Sequence, residues 1–85
     1  MLKITRTSDG EIVFNLTGRM DAENLGELEK LLREEASDSR TVLDLNDLTL
    51  VDQVAVRFLG RCETEDIQLR NCPPYIREWI NQEKP

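Results

Sequence analysis

The sequence predicts a single α+β domain over residues 1–85, α/β-like in its later part. An N-terminal β-hairpin is followed by α-β-α-β-α, with about four strands in a mixed sheet and helices mainly on one face. Three features of the chain point there. Two alternating segments flank an Asp-Gly step near the N-terminus, which is the pattern of a hairpin. Two longer stretches carry apolar residues at helical spacing, each begun by an aspartate. Short strand-like runs lie between and after those stretches, as in parallel strands joined by helical crossovers.

The elements follow in order. Leu2 and Ile4, then Ile12, Phe14 and Leu16, alternate with polar residues over 2–6 and 11–17, with Val13 breaking the polarity of the second run. Thr7-Ser8-Asp9-Gly10 joins them as a turn, glycine supplying positive φ at low cost. Gly18 ends the second strand, and Asp21 is placed to cap a helix over 22–36, where Ala22, Leu25, Leu28, Leu31, Leu32 and Ala36 form one stripe. Ser37-Asp38-Ser39 reads as its stop. Thr41–Leu45 is a short strand, and 46–50 reads as a loop whose Leu48 and Leu50 tuck partly inward. Asp52 is the second cap, ahead of Val54, Ala55, Phe58, Leu59 and Cys62. A strand over 67–69 and a short helix over 75–82, with proline in its first turn, close the chain. Right-handed crossovers put the first two helices on one face of the sheet and make the strands near 41–45 and 67–70 parallel.

Composition narrows the function. Lys plus Arg is 11 against 17 Asp plus Glu, a formal net charge of −6, which opposes phosphate or anionic-membrane recognition. Histidine is absent, which removes Ser-His-Asp and Cys-His catalysis and imidazole metal sites. No cofactor is implied. Asp44, Asp47 and Asp52 lack the spacing of a calcium loop, so no metal site is expected. No apolar run approaches the roughly 20 residues of a membrane helix. The N-terminus lacks the apolar core of a signal peptide, and a cytoplasmic location is expected. Cys62 and Cys72 lack CxxC spacing and read as reduced thiols. The expected surface of the first helix carries Glu23, Glu27, Glu34 and Glu35, so a partner patch meeting it would be basic.

Two segments carry a family resemblance. Asn15-Leu16-Thr17-Gly18-Arg19-Met20-Asp21 precedes the Leu-rich helix, and Thr41 to Asp52 precedes the second helix. In this order, behind a hairpin, they resemble a STAS domain, the module of sulfate transporters and bacterial anti-sigma factor antagonists. The resemblance covers residues 1 to about 80. It implies a binding module and no enzyme. In the antagonist branch such a domain docks on a serine-kinase anti-sigma factor through the loop after the second strand and the start of the second helix. By position, the matching residues are Gly18, Met20, Asp21, Val51, Asp52, Gln53 and Val54. The family commonly continues after its aspartate with Ser-Ser-Gly or Ser-Thr-Gly, and the first hydroxyl is phosphorylated. Here the run is Asp52-Gln53-Val54-Ala55. Gln53 stands where the phosphosite would be and offers no oxygen nucleophile, so the resemblance implies a member without the switch. Family members also usually add a further strand and a long final helix, for which this sequence offers one short helix. The expected function is a non-catalytic protein-interaction module of bacterial regulation, its partner an anti-sigma factor or serine-kinase-like protein. A small STAS subunit of a transport or lipid-trafficking ATPase complex, and a homodimer or other homo-oligomerising domain, are the alternatives. Capping alone is the simpler role for Asp21 and Asp52, and backbone freedom the simpler role for Gly18.

Overall fold

The computed structural model describes residues 2–8, 10–35 and 40–83. The element order is β1 (Leu2–Ser8), β2 (Ile12–Met20), α1 (Leu25–Arg33), β3 (Thr41–Val51), α2 (Gln53–Thr64), β4 (Gln68–Arg70) and α3 (Pro74–Glu83). The four strands form one mixed sheet in the order β1-β2-β3-β4. β1 and β2 are antiparallel from Leu2 opposite Gly18 to Ser8 opposite Ile12. β3 runs parallel to both β2 and β4. This is the α+β arrangement expected from the sequence. Gly10, at φ +81°, serves the hairpin turn, a conformation that glycine enters without steric cost; Asp9 lies outside the described residues.

One face of the sheet carries the core. Phe14, Leu16, Leu43 and Leu45 from the sheet, Leu25 and Leu28 from α1, Ala55, Val56, Leu59 and Cys62 from α2, and Ile76 and Ile80 from α3 are buried in one cluster. Removing such side chains from water is the main source of the fold's stability. The other face is polar, with exceptions at Val13 and Val42, the latter fully buried yet outside that cluster. Val42 lies between Val13 and Gln68 in register. The Glu11–Arg70 ion pair, 2.7 Å long, joins β4 to the start of β2 across β3 at this level. The arginine stem can thus shield an apolar spot while its charged head stays near water.

Two expectations are corrected. The helix expected at 22 begins at Leu25, because residues 22–24 form a turn in which Asn24 and Leu25 N–H donate to the Asp21 carbonyl (3.0 and 3.2 Å). Ala36 and Ser37-Asp38-Ser39 lie outside the described residues. The loop expected at 46–50 is strand: β3 continues to Val51. Its register against β2 slips by one residue between Asn15 and Thr17 and again between Gly18 and Arg19. Each slip adds a residue on β3, as in a β-bulge, and re-aims the side chains that follow. The buried positions Leu45, Leu48 and Val51 are therefore spaced by three, and Leu50, expected to tuck inward, is 53% exposed.

Candidate functional site

The residues implied by the resemblance meet where β2 and β3 end and α2 begins. Met20 and Val51 are register partners on the last rung of the parallel pair. Both are buried and form the floor of this end. Gly18, at φ +100°, sits at the second register slip, where a side chain would be strained. Its carbonyl accepts the Thr49 hydroxyl at 3.0 Å, which locks the bulged part of β3 to β2.

Asp52 organises the rest. Its backbone is extended, and its Oδ1 accepts the Ala55 N–H at 2.8 Å, the bond of a helix N-cap. Its Oδ2 accepts the Ala22 N–H at 3.2 Å. One carboxylate therefore ties the start of α2 to the turn before α1, 30 residues away in sequence. Asp21 does not cap α1. Its Oδ1 accepts the N–H of Glu23, two residues on, at 3.1 Å, an Asx-type turn. Position 24 precedes the helix instead, and the Asn24 amide donates back to the Arg19 carbonyl at 3.1 Å. The two aspartates thus serve to fix loops, with Oδ1 of Asp21 and both oxygens of Asp52 accepting backbone N–H groups.

Gln53 and Val54 occupy the exposed first turn of α2. The Gln53 amide reaches both oxygens of Glu83 at 3.5 Å, and Arg57 Nε donates to Glu83 Oε1 at 2.8 Å. The Arg57 hydrogen bond holds the Glu83 carboxyl below the usual glutamate range. The position that resembles a phosphosite is thereby turned toward the end of α3. The nearest hydroxyl, Thr49, is engaged with the Gly18 carbonyl.

The residue that sequence reasoning missed is Leu50. With Val54, 48% exposed, it gives this end two large exposed apolar side chains on consecutive elements. Its neighbours in the strand, Thr49 on one side and Arg19 opposite in register, are exposed and polar. No signal in β3 alone marked it, since the two register slips against β2 are what leave Leu50 out of the buried set of Leu45, Leu48 and Val51. Among the described residues, no group of three or more His, Cys, Asp or Glu side chains is placed to hold a metal ion. No described helix is long and apolar enough to cross a membrane. Both cysteines are free, and burial is the main cause that pushes the Cys62 thiol up to about 12.

No curated protein matches the chain. Among solved structures, it resembles the crystal structure of an uncharacterized protein from the DUF3478 family with a SpoIIAA-like fold, from Shewanella loihica PV-4. The identity is 16% and the TM-score 0.53, over 96% of this chain and 74% of that one, a likeness in fold. A family profile described as "Mlab, STAS domain" matches residues 4–82. With a hairpin, two parallel crossovers and an aspartate-capped second helix inside that span, the chain belongs to the STAS domain family.

Proposed function

We propose that the chain is a non-catalytic protein-interaction module of bacterial regulation, anti-sigma factor antagonist-like, and that it docks through the end built by β2, β3 and α2. The observation that carries this reading is the exposed pair Leu50 and Val54 on a frame fixed by Asp52. Exposed apolar side chains ringed by polar ones are the makings of an interface centre, and a fixed frame reduces the entropy lost on docking. The partner is an anti-sigma factor or a serine-kinase-like protein. Docking is not switched by phosphate, because Gln53 has no hydroxyl.

A photo-crosslinking residue placed at 50 or 54, with position 68 as control, tests the site. A cytoplasmic protein captured from 50 and 54 but not from 68, and lost on Leu50→Asp, supports it. Equal capture from all three positions counts against it. Incubation with the captured kinase and ATP then tests the switch: the native chain should stay unmodified and Gln53→Ser should gain phosphate. Phosphate on Thr49 of the native chain, with altered binding, would overturn the unswitched reading. The second reading, a STAS subunit of a transport or lipid-trafficking ATPase complex, is favoured by the engagement of Gln53 with Glu83, since a permanent subunit needs a docking end without a switch. Capture of an ATPase subunit in place of a kinase would select it.

A further inference from the structure

The sheet has two edges, and they differ. β4 is three residues long and gives way to Asn71, at φ +56°, and then to Pro73-Pro74. Short edge strands and nearby prolines keep an edge from pairing with another chain. β1 is seven residues long, contains no proline and pairs with β2 from Leu2 to Ser8 without a slip. It stands at the other margin of the sheet, and among the described residues no further backbone group bonds to its outer side. Every second residue of β1 therefore turns its N–H and C=O outward, unpaired within the chain. The core is also unfinished beside this edge. Leu2 and Ile4 pack against the buried cluster and are half-buried, whereas Leu16, the register partner of Ile4 on β2, is fully buried.

Such an edge is complementary to its own copy laid antiparallel. Core-facing and outward-facing side chains keep their faces when even-numbered residues meet even-numbered ones. Of those registers, the one centred on Thr5 pairs the whole strand: Leu2 with Ser8 of a second copy, Lys3 with its Thr7, Ile4 with its Arg6, and Thr5 with its own copy. Neither cation then meets a like charge, a Thr–Thr pair stands on the axis, and the two Ile4 side chains become diagonal neighbours on the core face. Centring on Arg6 would set two arginines opposite each other, and centring on Ile4 would leave Thr7 and Ser8 unpaired. Arg6 is held by Glu35 of its own chain at 2.7 Å, so it brings an already neutralised charge to the contact. β1 itself has no carboxylate to add to the repulsion between two chains of net charge −6. A two-fold axis perpendicular to the sheet reverses the strands without exchanging the faces, so the two sheets join into one with all helices on the same side.

We infer that β1 pairs with β1 of a second copy of this chain, antiparallel and centred on Thr5, forming a two-fold dimer through main-chain hydrogen bonds and the joined margins of the two cores. The paired strands run for roughly 24 Å. Such a contact is smaller than the roughly 800 Å² per partner of a standard interface, so the dimer is weak and depends on concentration. The edge is separate from the proposed docking end, whose Leu50 and Val54 lie on β3 and α2, and its test is independent of that reading.

Sedimentation equilibrium of the purified full chain, from about 1 to 500 µM, should show a monomer–dimer equilibrium. Thr7→Lys sets the new lysine opposite Lys3 of the second copy, twice per dimer, and should raise the dissociation constant at least about tenfold. Positions 3 and 7 are four residues apart on an extended strand, too far to meet within one chain. Adding Lys3→Glu to Thr7→Lys restores opposite charges across the axis and should recover the dimer. Gln68→Lys, on the β4 edge, should leave the native dissociation constant unchanged. Circular dichroism confirms that each variant is folded. A native chain that is monomeric throughout, a Thr7→Lys variant that dimerises like the native chain, a folded double variant that stays monomeric, or loss of the dimer on Gln68→Lys would each overturn the proposal.

Discussion

The starts of α1 and α2 look alike in sequence and differ in structure. Each follows a parallel strand, and each has an aspartate directly after that strand, at 21 and at 52. Asp52 caps α2 and in addition holds the Ala22 N–H. Asp21 holds only the N–H two residues ahead, and α1 starts three residues later behind Asn24, which makes no side-chain cap bond. Asn24 is helical in its own backbone (φ −96°, ψ −15°), whereas a capping residue normally has the extended backbone that Asp52 shows (φ −110°, ψ 178°). The lesson is that a capping residue type is necessary and not sufficient. The backbone that presents it is set by how the preceding strand ends, and β2 ends just past a register slip.

That contrast can be broken or sharpened experimentally. The largest effect is expected from Asp52→Ala. It removes a cap worth about 1 kcal/mol and also a charge-assisted bond to Ala22, for a total loss of about 2 kcal/mol in urea unfolding. A loss below half of that would mean that the bond between the loops contributes little. Gly18→Ala comes next, at about 1–2 kcal/mol, because φ +100° is costly for any residue with a side chain. A neutral result would mean that the register slip can relax. Gly26→Ala is expected to stabilise α1 by about 0.5–1 kcal/mol, since an added methyl meets no atom within 4 Å and alanine favours helix. Asp21→Ala should cost about 0.5 kcal/mol or less, well below Asp52→Ala; equal losses would erase the distinction between the two aspartates.

The smallest effect is a pH dependence that only the start of α2 should show. Arg57 and Gln53 hold the carboxylate of Glu83 and lower its pKa. A carboxyl lowered on folding stabilises the fold fully above its unfolded pKa, about 4.3, and that contribution is lost as pH falls through the folded value. The urea midpoint of native chain and Glu83→Gln should therefore differ slightly at pH 7 and converge in acid. A difference that persists at the lowest pH would remove ionisation as its cause. The pair is exposed, so added salt should also shrink the difference.

Much of the fold was open to reading from residues alone. The alternation of Leu2 and Ile4 with Ile12, Phe14 and Leu16 around Gly10 gives the hairpin, and the structure pairs those runs. The helical stripe behind Asp52 gives α2, and Pro74 marks the first turn of α3. These are local signals: periodicity, a cap with the right neighbours, and a residue that restricts φ. The family resemblance likewise grouped residues that meet in space, since Met20, Val51 and Asp52 converge at one end of the sheet.

What the residues could not reveal was decided by pairing between distant segments. Asn46 and Asp47 read as loop because polar doublets disfavour strands, yet β2 lies alongside and supplies a pairing edge, so β3 runs on to Val51. Two register slips against β2 then choose which leucine is buried, and they bury Leu48 and expose Leu50. A period-two reading of β3 alone has no means of placing those slips, because each is a property of two strands together. The same holds for Asp52, whose capping role is local and legible while its bond to Ala22 exists only once β2 and β3 are side by side. Order of elements and helix face came from the chain's own periodicity, whereas register, and with it the exposed Leu50–Val54 pair, came from tertiary contact.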